Sequence, residues 1–339
     1  VDTFSHIIIG LGLGALSQID PAVSENITLS QAVILGTVIG SNAPDFDIIY
    51  RLKGKGSYFR NHRAISHSLP ALPLWGIIVS GLIYPFFPDL SFLHLFLWTL
   101  LAVMVHVFFD LFNVHGTQIL LPFSRKWVSF DSITLIDPYI LFLHSLGFSL
   151  LPFFTAGKTF LFIYLFIFLY LSIRILSALL TKKHLQNHFL NAVRIKLIPR
   201  TAMFKWDILI ETNEDFLFGI YLNDNLYIEH TLSKKIDFPA FVSDSRNDPT
   251  ISDFIASTNY AYPFVRASKS GYFVFWKDLR FRTNKSFPTL AILFISFDFK
   301  NKNGYIGTIT SLRHYKKVLR NLKNTPGSIN EKRIKARVP

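Results

Sequence analysis

Residues 159–181, TFLFIYLFIFLYLSIRILSALLT, run almost without interruption through apolar side chains and carry one charge, Arg174. At about 1.5 Å per residue such a stretch is long enough to cross a hydrocarbon core of about 30 Å. Arg174 lies towards the end of the stretch, from which a long side chain can snorkel to the interface. Three further apolar segments, 69–88, 91–112 and 138–157, have adequate length, and between Arg63 and Arg125 the only formal charges are Asp89 and Asp110. Two shorter stretches, 3–19 and 29–44, are rich in Gly and Ala and read either as full crossings or as half-inserted helices packed on the others. The expected fold is a multi-pass α-helical membrane protein with about four to six membrane helices, followed by a cytoplasmic, mainly β domain.

Charge divides the chain. Residues 1–181 hold 9 Lys/Arg and 9 Asp/Glu, whereas residues 182–339 hold 26 and 13, so the whole net charge of +13 belongs to the second part. Loop 51–63 has five basic residues, Arg125 and Lys126 follow segment 91–112, and Lys182 and Lys183 follow the last; the opposite loops hold only Lys158. With six crossings, the positive-inside rule puts every basic loop and the C-terminal domain on the cytoplasmic side of the membrane. After about residue 200 the pattern turns to short β-type runs at 204–211, 216–222, 225–230, 271–282 and 288–299, with turn signals at Asn223-Asp224-Asn225 and Asn301-Lys302-Asn303-Gly304. The expected domains are therefore a membrane-embedded helical part at 1–181, a basic linker at 182–200, a β-rich part at 201–315 and a basic, disordered tail at 316–339.

The candidate chemistry lies in the first 140 residues. His106 and Asp110 are spaced to share one helix face, and an ionisable group in a membrane helix is a functional hypothesis by default. His6, Asp45, Asp47, His62 and His67 all fall, in the derived topology, at cytoplasmic helix ends, as do His106 and Asp110. Four imidazoles and three carboxylates converging on one face suit Zn²⁺ or Mn²⁺, and seven donors exceed the needs of one tetrahedral ion, which implies two or three ions. The chain has no cysteine, so thiolate ligands, disulfides and thiol nucleophiles are excluded. Gly10, Gly12 and Gly14 lack a preceding strand and read as close helix packing, not as a dinucleotide fingerprint.

DTFSH (2–6) before a Gly/Ala-rich apolar run, then PDFD (44–47), HRAISHS (62–68), HVFFD (106–110) and the glycine of HGTQ (115–118), resemble the YdjM family of bacterial inner-membrane, metal-dependent hydrolases over residues 2–140. The same order bears a looser resemblance to the zinc-dependent phospholipase C and single-strand nuclease superfamily, which cleaves phosphate esters at all-helical three-zinc sites; its later H-x-x-x-E pair has no counterpart here. The resemblance implies His6, Asp45, Asp47, His62, His67, His106 and Asp110 as ligands, with His115 a further one, and water activated by the metal as nucleophile. Arg63, whose fork can bond two acceptors, is the expected phosphate clamp. The rival readings are a transporter or channel using the cluster as an ion path, and a regulatory scaffold with a silent site. For the basic C-terminal part the expected partner is anionic membrane lipid; nucleic acid is disfavoured because no nucleic-acid motif is present.

Overall fold

The computed structural model describes residues 2–283, 286–298 and 301–324. They fall into two compact units, Val1–Asp47 with Arg63–Leu232, and Ile48–His62 with Ser233–Pro339.

The first unit holds helices α1 (Thr3–Leu16), α2 (Pro21–Ser24), α3 (Ile27–Gly40), α5 (Ala71–Ile83), α6 (Phe92–Phe112), α7 (Pro138–Leu150) and α8 (Ala156–His188), while α4 (Lys55–Asn61) belongs to the second unit. Side chains of Asp2, Asp20, Asn26 and Asp137 accept first-turn N–H groups and so start α1, α2, α3 and α7. A Cβ at Gly10 would lie 2.4 Å from Ser41 Oγ and 2.8 Å from Thr37 O, and one at Gly40 would lie 2.9 Å from Thr99 O. Only glycine permits these approaches of α1 to α3 and of α3 to α6, so the glycines serve packing. This close packing brings His6, Ser41 and His106 to one place.

Two helices among the described residues, α6 and α8, are long and apolar enough to cross a membrane, or up to four if each of two bent pairs is one span. The stretches Thr3–Ile19 and Pro138–Leu150 are apolar but shorter. At 33 residues α8 is about 50 Å long, more than a hydrocarbon core requires. Arg174 on α8 does not snorkel. It is buried and donates to the carbonyls of Ser132 at 2.7 Å, of Ala202 and Arg200 at 3.2 Å each, and of Met203, with its guanidinium over the Trp206 ring.

Strands β1 (Arg194–Pro199), β2 (Lys205–Glu211), β3 (Asp215–Leu222) and β4 (Asn225–Ser233) form an antiparallel sheet in sequence order. Asn223 and Asp224, both at positive φ, make the expected two-residue hairpin turn. The sheet buries Leu197, Trp206, Ile208 and Ile210 together with Ala178 and Leu185 of α8. Residues 182–200, expected as a linker, are therefore the end of α8 and the first strand, ordered because Leu185, Ile195 and Leu197 are buried in this core.

The second unit comprises α4, α9 (Pro239–Ser245), α10 (Pro249–Ala256), β5 (Ala261–Ser268), β6 (Gly271–Asp278), β7 (Thr289–Ser296), β8 (Lys302–Thr308) and α11 (Leu312–Asn324), with the strands antiparallel in sequence order. Strand alternation splits the core. Val274, Trp276, Leu293 and Ile295 pack with Ile251 and Phe254 of α10 and with Phe59 of α4, whereas Phe273, Phe275, Ile292 and Phe294 pack with Val318 and Leu322 of α11. The β-rich expectation thus meets an α/β arrangement in this unit. Helices α9 and α10 are short and begin at prolines, which masks their periodicity. Lys302, Asn303 and Gly304 lie in β8 instead of a turn. Of the tail expected to be disordered, residues 316–324 are helical, and 325–339 lie outside the described residues.

Candidate metal centre

Four segments of the first unit meet at the C-terminal end of α6. That helix supplies His106 and Asp110, α1 supplies His6, the 3₁₀ segment that follows α3 supplies Asp45 and Asp47, and the turn Ile65–His67 supplies Ser66 and His67. Asp45, His67, His106 and Asp110 each offer one ligand atom within 4.8 Å of the others. His67 Nε2 stands 3.2 Å from His106 Nε2, 3.3 Å from Asp110 Oδ2 and 3.6 Å from Asp45 Oδ1. His106 Nε2 stands 3.7 Å from Asp110 Oδ2 and 3.8 Å from Asp45 Oδ1. A tetrahedral ion with bonds of about 2.1 Å separates its ligand atoms by about 3.4 Å, so these distances fit one ion with two nitrogen and two oxygen donors.

The tautomers follow from the outer partners. His106 Nδ1 lies 2.7 Å from the Ser41 carbonyl, which can only accept, so Nδ1 carries the proton and the neutral ring's Nε2 is a bare lone pair. Ser66 Oγ donates to Asp47 Oδ2 at 2.9 Å, which leaves it an acceptor for His67 Nδ1–H, also at 2.9 Å, and again frees the Nε2 lone pair. Two lone pairs and two carboxylate oxygens thus face one point with no proton between them. Such an all-acceptor cluster calls for a cation. His6 adds to the case: its ring stacks on His106 at 3.8 Å, its Nε2 is 3.7 Å from Asp110 Oδ1, and both of its ring nitrogens are buried without a hydrogen-bond partner. A buried imidazole whose two nitrogens both lack a hydrogen bond keeps a lone pair free to bind an ion.

The remaining expected residues lie outside this four-donor group. Asp47 stands one layer out, accepting from Ser66 Oγ and from the Arg63 N–H at 3.0 Å. His62 ends the segment Ile48–His62 of the second unit, where its ring stacks on Tyr58. His115 lies outside the four-donor group and gives its backbone N–H to Asn113 Oδ1 at 2.8 Å. Arg63, buried and at φ 61°, directs Nη2 to Asp110 Oδ1 and Nη1 to Asn113 Oδ1, each at 3.1 Å. Its fork, expected to face a phosphate, is engaged with the centre itself. The left-handed backbone disfavours an ordinary side chain by about 1 kcal/mol and is held by bonds on both sides, including Gln118 N to Arg63 O.

The sequence pattern singles out neither Asn113 nor Ser66 nor Ser41. A serine beside a candidate ligand histidine is the one signal that pointed to Ser66; the Ser41 carbonyl leaves no trace in side-chain identity. Asp131 and Asp137 have structural duties: Asp131 pairs with Lys196 at 2.6 Å, and Asp137 caps α7 and accepts from Tyr170. Burial raises the carboxyl pKa of both. His144 bonds the Ile140 carbonyl and Tyr164, a polar group satisfied inside the helices.

The fold and site define a helical membrane protein with a buried His/Asp cluster able to hold a metal ion. Residues 1–180 match the YdjM inner membrane protein family, and the chain belongs to that family. Residues 240–319 match the YfhP C-terminal alpha/beta plait domain. Along nearly its full length the chain is similar to the uncharacterized protein YfhP of Bacillus subtilis (strain 168), with 33% identity over 325 residues, 94% of this chain and 99% of that protein. No solved structure matches the chain.

Proposed function

We propose that this protein is a membrane-bound, metal-dependent hydrolase that acts on a phosphoester, with its site at the cytoplasmic face of the inner membrane. The observation that carries the reading is the convergence of His67 Nε2, His106 Nε2, Asp45 and Asp110, four acceptors at the edge lengths of one tetrahedral site. These four would hold the ion, with His6 next to them. A divalent ion in such a site supplies Lewis acidity and makes water a nucleophile at neutral pH.

The chain's own residues do the rest. Ser41 O and Ser66 Oγ fix the ring protons of His106 and His67 on the outer nitrogens. Arg63 is a positioning residue: by holding Asp110 Oδ1 it turns Oδ2 towards both imidazoles, and its charge offsets the buried carboxylate. Asp45 is the donor that reaches solvent, with its side chain 20% exposed while those of His67, His106 and Asp110 are at 0%, so substrate is expected to approach from its side. The donors of α6 lie in its last two turns, which favours a site at one face over a path through the membrane. The positive-inside bias supports a multi-pass topology with the C-terminal part in the cytoplasm.

Metal analysis of the purified, detergent-solubilised chain, together with hydrolysis of p-nitrophenyl phosphate and bis-p-nitrophenyl phosphate, tests the reading. Asp110→Asn keeps size and one acceptor oxygen but loses the charge that offsets the ion. It is expected to lower metal content and hydrolysis together. A wild-type protein without metal, or Asp110→Asn with full occupancy, would sink the site. Metal without hydrolysis of any phosphoester would leave the ion-path and scaffold readings.

A further inference from the structure

Helix α11 packs one face on its sheet through Val318 and Leu322. The opposite face carries Arg313, Lys316, Lys317 and Arg320, all exposed, at the i, i+3, i+4 and i+7 positions of a single stripe about 10 Å long, and Lys323, exposed beyond its end, turns its ammonium over the Phe273 ring at 5.4 Å. The helix contains no acidic residue, and these five side chains have no ion pair among the described residues. They make up five of the chain's 35 Lys and Arg residues. Leu312, at the start of the stripe, is an apolar side chain left 80% exposed by the described residues.

We infer that α11 is a docking surface for the anionic headgroups of the membrane in which the chain's own helices sit. Charge complementarity selects the partner. A negatively charged leaflet attracts each nearby Lys or Arg strongly enough to change the docking equilibrium about fivefold, and four in one stripe act together on a plane. A stripe on one straight helix suits a flat surface, and an exposed Leu at its end suits the boundary between headgroups and acyl chains. Because the chain is a membrane protein, the surface is present at high effective concentration, so docking needs less intrinsic affinity than capture from solution. The inference rests on membrane residence and not on the hydrolase reading.

The chain has no cysteine, so Leu312→Cys accepts a single environment-sensitive fluorophore in the full-length protein. Reconstituted in nanodiscs with 30% phosphatidylglycerol, the label should shift to the blue and resist acrylamide quenching. In pure phosphatidylcholine it should be open to quencher, and 1 M KCl, where the Debye length is about 3 Å, should abolish the difference. The fourfold variant Arg313→Gln, Lys316→Gln, Lys317→Gln, Arg320→Gln removes only exposed charges and should lower the docked-to-free ratio several-hundred-fold. A second fourfold variant, exchanging each Arg for Lys and each Lys for Arg, should behave as wild type. Equal protection in both lipids, or exposure in both, would overturn the inference. So would protection by added RNA in phosphatidylcholine discs equal to that given by phosphatidylglycerol, which would assign the stripe to nucleic acid.

Discussion

Ser66 offers the sharpest test of how the metal centre is held. Its hydroxyl makes two contacts of 2.9 Å, donating to Asp47 Oδ2 and accepting from His67 Nδ1–H. Ser66→Ala removes both, while Asp47 keeps the Arg63 N–H. The freed imidazole can then place its proton on Nε2, towards His106 and Asp110, and a protonated nitrogen cannot ligate. Two hydrogen bonds of about 1 kcal/mol each amount to about 2 kcal/mol, which agrees with the 10- to 100-fold loss of affinity typical when a ligand's outer partner is removed. The assay is zinc occupancy of the purified protein across chelator-buffered free concentrations. Ser68→Ala is the control, since that hydroxyl bonds the Ile65 carbonyl in the same turn and touches no donor; its midpoint should stay within about twofold of wild type. If Ser66→Ala also stays within twofold, the tautomer argument fails, and with it the assignment of His67 Nε2 as a ligand.

Arg63→Lys keeps the charge but reaches only one of the two acceptors now held by the fork, so it should retain metal, loosen Asp110 and lower kcat for a phosphoester about tenfold or more with little change in KM. Single cysteines at Lys53 and Lys183 should both resist a membrane-impermeant maleimide added outside spheroplasts and react after lysis; opposite answers would break the derived orientation. Lys196→Met leaves the buried carboxylate of Asp131 without its ion partner and should destabilise the first unit by about 3 kcal/mol, read as a lowered Tm in detergent. Burial already raises the Asp131 pKa, so the folded state holds its proton more tightly than the unfolded one. That contribution favours folding at low pH and fades as pH rises through the raised value, and the loss should steepen in Lys196→Met, measured as Tm against pH.

How far the sequence reaches differs from residue to residue. His106 and Asp110 were legible because helical periodicity alone puts a spacing of four on one face, and His6, Asp45 and His67 because each stands where an apolar run ends. Arg174 was misread because hydropathy reports the length of a span but not what lies behind it; the carbonyls of Arg200, Ala202 and Met203 come from the junction between the expected linker and the expected β-rich part. Helix α11 was hidden by its charge, which is also what gives its free face a use.

His62 is the most instructive case. By composition residues 51–63 read as a basic loop of the membrane part, yet Phe59 packs with the core around Trp276 and Leu293, and Arg60 pairs with Asp253 at 2.6 Å. The segment Ile48–His62 therefore folds with the second unit, and His62 is its last residue. Its neighbour Arg63, bonded to Asp110 and Asn113, is the first residue back in the unit that holds the donors. Adjacent residues of one motif thus serve different cores, and the sharp left-handed turn at Arg63 is where the chain changes from one to the other. Spacing along a motif can report which residues share a helix face. It cannot report a change of core between two neighbours, because that depends on Phe59 and Arg60 finding partners about 200 residues further along the chain.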